Sequence, residues 1–195
     1  MRIIAPLLPF ALLVACGPAP RAPGNTPTSI MPVIGPGGDP TTVADVATLA
    51  AKACGEAPLI AAAPATCTRL TGAALSSGAE TPAASEAFDG DVCSTWTAGG
   101  PAPRFAAIDF GARRLVSGLL LVPETEQPGR MRHVLEASDD GVIFHTLYVV
   151  DASMAGGHVY EVKMPTPFSA RALRVSTTAS PSWVAWREIA PLTCK

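Results

Sequence analysis

The amino-acid sequence predicts an all-β fold, an antiparallel β-sandwich that fills the C-terminal part of the 195-residue chain. From about residue 70 onward, short runs of β-branched and aromatic residues are separated by turn residues, and helical periodicity is scarce. Many short strands with few helices are typical of sandwiches. Asp140 and Gly141 together form a hairpin signal, because such a turn requires a positive φ.

The composition of the chain excludes several classes of protein. Hydrophobic residues make up 48% of the chain and charged residues 15%, a balance that excludes a wholly disordered protein. The formal net charge of −2 provides no basic surface, so nucleic acid is not an expected partner. A long uncharged apolar run occurs only near the N-terminus, which excludes a bundle of membrane helices.

Residues 1–15 are predicted to be a lipoprotein signal peptide. Arg2 gives a positive start, and the apolar run at 3–14 is too short to span a bilayer. The sequence Leu-Val-Ala-Cys that ends at Cys16 resembles the lipobox of bacterial lipoproteins, whose Cys is acylated. The resemblance implies that Cys16 anchors the chain to a membrane of the bacterial cell envelope, facing the periplasm or the cell surface. The alternative is an ordinary signal peptide with a chance Cys.

Two segments separate this anchor from the strands. Residues 16–40 are rich in Pro, Gly and Thr, a composition that keeps a chain extended, so we expect a tether. Residues 41–66 are predicted to hold a short helix and a connector. The helix is expected over 41–55, with Thr42 as its cap and a narrow apolar stripe that docks on a larger body.

Four cysteines remain when Cys16 is assigned to the lipid. An even number in an exported chain implies two disulfides, and three connectivities are open. Cys67 and Cys194 bracket the predicted sandwich, whose ends should lie close together, so we favour that pair. The remaining pair, Cys54 with Cys93, would staple the helix to the module. A bond between Cys54 and Cys67 would contradict this scheme.

The predicted strands follow one another along the chain, and turn residues separate them. Gly111, Pro123 and Pro165 are among the residues that end a strand. The strands are expected at residues 105–110, 115–122, 133–137, 143–150, 158–164, 171–177 and 183–189.

Four segments of this region resemble landmarks of discoidin domains, also called coagulation-factor type C domains. The segment Phe-Asp-Gly-Asp-Val-Cys-Ser-Thr-Trp at 88–96 resembles the signature D-G-[DN]-x-x-[ST]-x-W. Segments 108–111, 138–144 and 170–189 resemble the later landmarks in the same order. The resemblance implies a jelly-roll β-sandwich of galactose-binding-like architecture, a discoidin-like domain at 67–195. Modules of this family bind sugars, lipid head groups or proteins.

The first candidate site is a calcium site in the loop that contains Asp89, Asp91 and Ser94. These residues offer carboxylate and hydroxyl oxygens, which hard cations prefer. The resemblance implies that Glu188 closes the site, because carbohydrate-binding members of the family often hold a calcium ion in this loop with a glutamate near the C-terminus. The alternative is that Asp89 and Asp91 bond the loop's own backbone amides, with a disulfide in the loop serving instead of the ion.

The second candidate site is a carbohydrate face formed by loops 97–104, 123–133 and 178–185, which are expected to cluster at one end of the sandwich. Sugar sites combine an aromatic platform with a few fixed polar groups. The 97–104 loop lacks the aromatic residues of a strong platform. The candidate ligand-binding residues are Arg104, Arg130, Arg132, His133 and Trp183.

Several of these side chains also have a structural interpretation. Arg130 and Arg132 are typical of a solvated surface, and Trp183 precedes a strand and fits a half-buried core position. His133 opens a strand and fits either role. Trp96, at the structural Trp position of the discoidin family, is expected in the core.

Catalysis is not expected. The sequence has no GxSxG or HExxH motif, and its three His fall in separate strands. Glu124 and Glu126 are near neighbours, but they lie in a loop expected to be exposed. The leading hypothesis is a non-catalytic envelope lipoprotein whose module binds carbohydrate, either envelope polysaccharide or an external glycan. The alternative is a protein-interaction or structural envelope module whose ligand site has degenerated.

Overall fold

The computed structural model describes residues 41–45, 63–76 and 84–195, with only the backbone described at 41–45 and 75–76. Nine β-strands and one short 3-10 helix, Ala84–Ala87, form in this part of the chain. The described residues include no helix long and apolar enough to cross a membrane. The strands are β1 Thr41–Asp45, β2 Cys67–Arg69, β3 Ala73–Ser76, β4 Trp96–Thr97, β5 Arg104–Glu124, β6 Gly129–Ser138, β7 His145–Met154, β8 His158–Ala179 and β9 Ala185–Cys194.

Two long strands, β5 and β8, belong to both layers of a sandwich in which the described strand pairs are antiparallel. The first part of β5, at 104–109, pairs with β3 and with residues 172–177 of β8, which β6 and β7 extend. The second part, at 114–121, pairs with residues 160–170 of β8. In this second layer β1 pairs with β8, and β9 pairs with β5. Strands β2 and β4 pair with β9. This arrangement confirms the predicted antiparallel β-sandwich.

The core lies between the layers, and alternation along the strands builds it. In β6, Met131, His133 and Leu135 are fully buried, whereas the side chains between them face outward or are only partly buried. Trp96 and Trp186 face each other across β4 and β9 and are 1% and 0% exposed. The core position expected for Trp96 is therefore confirmed.

The hairpin between β6 and β7 turns at the predicted dipeptide. Gly141 has a φ of 82°, a conformation that glycine adopts without strain. Oδ1 of Asp140 accepts hydrogen bonds from the amides of Val142 and Ile143, at 2.7 and 2.8 Å. These bonds favour the ionised carboxylate and lower the pKa of Asp140 to about 2. The turn chemistry predicted from Asp140 and Gly141 is therefore confirmed.

The helix predicted over residues 41–55 does not begin as expected, because Thr41–Asp45 forms strand β1. This strand pairs with β8, where Thr41 lies opposite Glu161 and Asp45 opposite His158. Thr and Val are β-branched and suit a strand when a partner edge is present. The rest of the predicted helix, at 46–55, lies outside the described residues.

One of the favoured disulfides is confirmed. Cys67 and Cys194 lie opposite each other in the β2–β9 pair and are bonded, with an S–S distance of 2.04 Å. Cys93 is also disulfide-bonded. Its predicted partner, Cys54, lies outside the described residues, as do the predicted signal peptide, the tether and Cys16.

Candidate functional site

The loop that holds Asp89, Asp91 and Ser94 is closed by its own hydrogen bonds. Oδ1 of Asp89 accepts from the Asp91 amide at 2.8 Å, and Oδ2 accepts from the Ser94 hydroxyl at 2.9 Å. Oδ1 of Asp91 accepts from the Cys93 amide at 2.9 Å. This is the pattern of Asx turns, in which a carboxylate bonds the backbone two residues ahead. Three of the carboxylate oxygens that the loop offers as metal ligands therefore already accept hydrogen bonds within the loop.

Glu188 lies beside this loop and is fully buried, with a cationic partner from β2. The Gly90 amide donates to its Oε2 at 2.8 Å, and Nη1 of Arg69 lies 3.5 Å from the same oxygen. Burial raises the pKa of Glu188 to about 7, and the positive charge of Arg69 opposes that rise. The Arg69 side chain is 18% exposed, so the pair is largely removed from water.

Gly90 lets the guanidinium of Arg69 approach this close. Its φ is 92°, and a β-carbon at this position would lie 2.4 Å from Nη1 of Arg69. A side chain at position 90 would therefore push the guanidinium away from Glu188. The glycine of the 88–96 signature has a direct packing role here.

As arranged, these residues do not fit a calcium ion. No group of three or more acidic, His or Cys residues that could hold a metal occurs within the described part of the chain. Oε1 of Glu188 has no hydrogen-bond partner, but neither does the neighbouring Nη2 of Arg69, and both atoms are buried. A metal cation on Glu188 would sit against a guanidinium of like charge. Arg69 supplies the positive charge that calcium was expected to bring.

His133 lies in the core and is not part of a ligand face. It is 0% exposed, its Nδ1 lies 3.0 Å from Oγ1 of Thr177, and its ring packs on Trp186 at 4.7 Å between centroids. Burial lowers the pKa of His133 to about 3, which keeps the imidazole neutral. The ligand role predicted for His133 is corrected, because β6 places odd-numbered residues inward.

Arg130 and Arg132 are exposed, Arg104 is partly buried, and all three bond to protein groups. Arg130 makes two hydrogen bonds to the Asp151 carboxylate, at 2.6 and 3.0 Å. Arg132 donates from Nη1 to Oγ1 of Thr178 at 3.0 Å, and Arg104 donates to the carbonyl of Pro103 at 3.2 Å. None of these three side chains lines the described cavity that Trp183 borders.

Trp183 borders a cavity of about 570 Å³ where three of the chain's loops meet, which we call the Trp183 cavity. Its side chain is 61% exposed, so the half-buried core position considered for it is wrong. The walls belong to the three loops expected to cluster and to the residues just before β4. The polar lining includes Thr95, Thr97, Glu124, Glu126 and Ser182.

Hydrogen bonds fix the loops around this cavity. The Ala98 amide donates to the Val184 carbonyl at 2.9 Å, and the Val184 amide donates to the Gly100 carbonyl at 3.0 Å. Oγ1 of Thr125 lies 3.0 Å from Oγ of Ser182, which joins the second loop to the third. The backbone on both sides of Trp183 is therefore held before any ligand arrives.

One carboxylate of the lining is neutralised by the protein and the other is not. Glu124 forms an ion pair with Nε of Arg187, whose Nη1 also donates to the Val92 carbonyl at 3.1 Å. Glu126 is exposed and has no ion pair or hydrogen bond with another described residue. Sequence reasoning noted both glutamates as neighbours but did not assign them to the ligand face.

Comparison with known proteins gives one family and a group of similar folds. A model of the F5/8 type C domain matches residues 71–189. Chitosan-binding module 1 of a Paenibacillus sp. IK-5 chitosanase/glucanase shares 20% identity and a TM-score of 0.54, over 64% of this chain and 96% of that one. The family 32 carbohydrate-binding module of NanJ from C. perfringens, solved with galactose, shares 16% identity and a TM-score of 0.54, over 65% and 99%. No curated protein sequence matches the chain significantly.

Proposed function

Because the chain belongs to the F5/8 type C domain family, we propose that its sandwich is a non-catalytic module that binds carbohydrate in the Trp183 cavity. The observation that carries the proposal is the exposure of Trp183, 61%, on a loop fixed by backbone hydrogen bonds. The solved structures of similar fold include modules described as binding chitosan and in complex with galactose, which supports the same class of ligand.

The chemistry of the cavity suits a sugar. A pyranose ring presents a C–H face that packs on an aromatic side chain, and its hydroxyls need donors and acceptors around the rim. Trp183 offers the platform, and the lining adds hydroxyls from Thr95 and Thr97 and a carboxylate from Glu126. Because the loops are already held, binding costs little further ordering of the chain.

The state of the two carboxylates supports a proposal of binding rather than hydrolysis. Glycosidases use two carboxylates that flank one bond, one as acid and one as base or nucleophile. Glu124 is engaged by Arg187, and Glu126 is exposed on a loop. The lining offers no second free carboxylate, so this cavity is proposed to hold its ligand unchanged.

We also propose that the module is displayed at a bacterial cell envelope. The support is in the sequence alone, where the lipobox-like segment ends at Cys16 and residues 16–40 read as a tether. Polysaccharide of the envelope or an external glycan would then be within reach. Metabolic labelling with a fatty acid should mark the chain, and Cys16→Ala should abolish the label and release the protein from the membrane fraction.

The test is a glycan array probed with the full chain in detergent, with calcium and with chelator. Calorimetry on the best ligand then compares Trp183→Ala with Ile143→Ala, a control at another apolar side chain that is 60% exposed but lies outside the cavity. We expect Trp183→Ala to weaken binding at least about tenfold and Ile143→Ala to leave it unchanged. Absence of glycan binding in both conditions, or equal affinity of the Trp183 variant, would overturn the proposal and favour a protein-interaction module.

A further inference from the structure

The charge of the Trp183 cavity is one-sided. Its described lining contains two carboxylates, Glu124 and Glu126, and no Lys, Arg or His. Arg187, which does not line the cavity, forms an ion pair with Glu124. Arg130, on the outer face of β6, forms an ion pair with Asp151. The charge that remains for a ligand to meet is therefore the negative charge of Glu126.

The position of Glu126 is set by its neighbour in the chain. Thr125 is 8% exposed, and its hydroxyl bonds to Ser182 at 3.0 Å and to the carbonyl of Gln127 at 2.9 Å. The Thr125 backbone also packs so closely on Gly156 that a β-carbon there would lie 2.6 Å from the Thr125 carbonyl oxygen. Glu126 thus projects from a fixed point on the cavity rim and not from a loose loop.

A second feature of the cavity favours the same sign of charge. The face of a Trp ring carries negative electrostatic potential and attracts ammonium groups within about 6 Å of its centre. Trp183 and Glu126 would therefore both favour a cationic ligand group over an anionic one. A uronic acid would instead place its carboxylate beside a carboxylate of like charge.

From this arrangement we propose that the Trp183 cavity selects amino sugars with a free, protonated amine over N-acetylated, neutral and acidic sugars. The inference rests on the proposed function and names its ligand class. The ammonium group hydrogen-bonds to Glu126 while the sugar ring packs on Trp183. Acetylation of the amine removes the charge and one interaction with each of these groups.

The experiment measures binding of the full chain in detergent to three hexasaccharides by calorimetry, in buffer that keeps the amine protonated. The probes are β-1,4-linked glucosamine, β-1,4-linked N-acetylglucosamine and galacturonic acid. We expect the glucosamine hexamer to bind at least about fivefold more tightly than its acetylated counterpart. That preference should shrink at high salt, because the charges are partly exposed.

Two variants test whether Glu126 causes the preference for the glucosamine hexamer. Glu126→Gln should reduce the glucosamine affinity about fivefold and leave the affinity for the acetylated hexamer unchanged. Asp139→Asn removes the same charge at the β6–β7 turn, outside the cavity, and should change neither affinity. Equal affinities for the two hexamers, preference for galacturonic acid, or a preference that survives Glu126→Gln would each overturn the inference. If the hexamers bind without this preference and their binding is still weakened by Trp183→Ala, the proposed function stands and only this inference fails. If no hexamer and no array glycan binds, the proposed function and this inference both fail.

Discussion

Arg69 should be necessary for the stability of the sandwich because it is the counter-ion of a buried carboxylate. Glu188 is 0% exposed and Arg69 is 18% exposed, with 3.5 Å between Oε2 and Nη1. Replacing Arg69 by Ala leaves Glu188 in the same site with only the Gly90 amide as a partner. Removing one member of a buried ion pair costs about 3–5 kcal/mol, and because Arg69 is partly exposed we expect a loss of about 3 kcal/mol.

The loss should depend on pH. Burial raises the pKa of Glu188 from 4.5 to about 7 in the folded chain. The folded state therefore binds this proton more tightly than the unfolded state, and stability falls as pH rises from 4.5 to about 7. At about pH 5 the Glu188 carboxyl of the folded chain is already neutral and needs no counter-ion, so Arg69→Ala should cost less stability there than at about pH 8.

The assay is urea and thermal unfolding of wild type and variants at both pH values. A loss of about 3 kcal/mol in a domain of this size lowers Tm by about 10 °C. The control is Arg113→Ala, which breaks the exposed Arg113–Asp139 pair at 3.2 Å and should cost less than about 1 kcal/mol. Equal losses for the two variants would refute the reasoning. So would a higher wild-type Tm in calcium than in chelator, because an ion would then occupy the place assigned to Arg69.

Two further predictions concern the core and the closure of the sandwich. Burial lowers the pKa of His133 from 6.5 to about 3, so the unfolded state alone gains a proton as pH falls. The stability of wild type relative to His133→Gln should therefore drop by about 2 kcal/mol from about pH 7 to 5 in urea titrations, and a difference that stays constant over this range would contradict the burial argument. Replacing Cys67 and Cys194 by Ser opens a 127-residue loop and should cost about 5 kcal/mol of unfolding free energy; a cost below about 1 kcal/mol would contradict that loop-entropy argument.

The parts of the fold that depend on local pattern could be predicted from the sequence. Alternation, the Asp140–Gly141 turn and cysteines at both ends of the strand-rich region indicated a closed sandwich. Strand β1 could not be predicted this way, because Thr41–Asp45 also resembles a capped helix start. What decides its conformation is pairing with β8 more than a hundred residues later in the chain, at His158 to Glu161.

The candidate site was predictable at the level of loops but not of side chains. The alternation of β6 places Arg132 and His133 on opposite faces, and this alternation is the signal in the sequence that indicates a core position for the imidazole. The pairing of Arg69 with Glu188 could not be predicted from the 88–96 signature, because Arg69 lies outside it. Glu126 entered the site through contacts of Thr125 with Ser182, a pair of residues 57 positions apart.

Strand β9 connects the proposed binding site to the contacts that hold the sandwich together. Its first residue, Ala185, lines the Trp183 cavity, and Arg187 forms an ion pair with Glu124 of the lining. Further along the strand, Glu188 pairs with Arg69, and Cys194 closes the disulfide with Cys67. Trp183 and Glu126 lie outside β9, on loops held by their own hydrogen bonds. Affinity and ligand choice should therefore change with loop residues at little cost in stability, whereas Arg69→Ala should lower stability and leave the affinity of the molecules that remain folded unchanged.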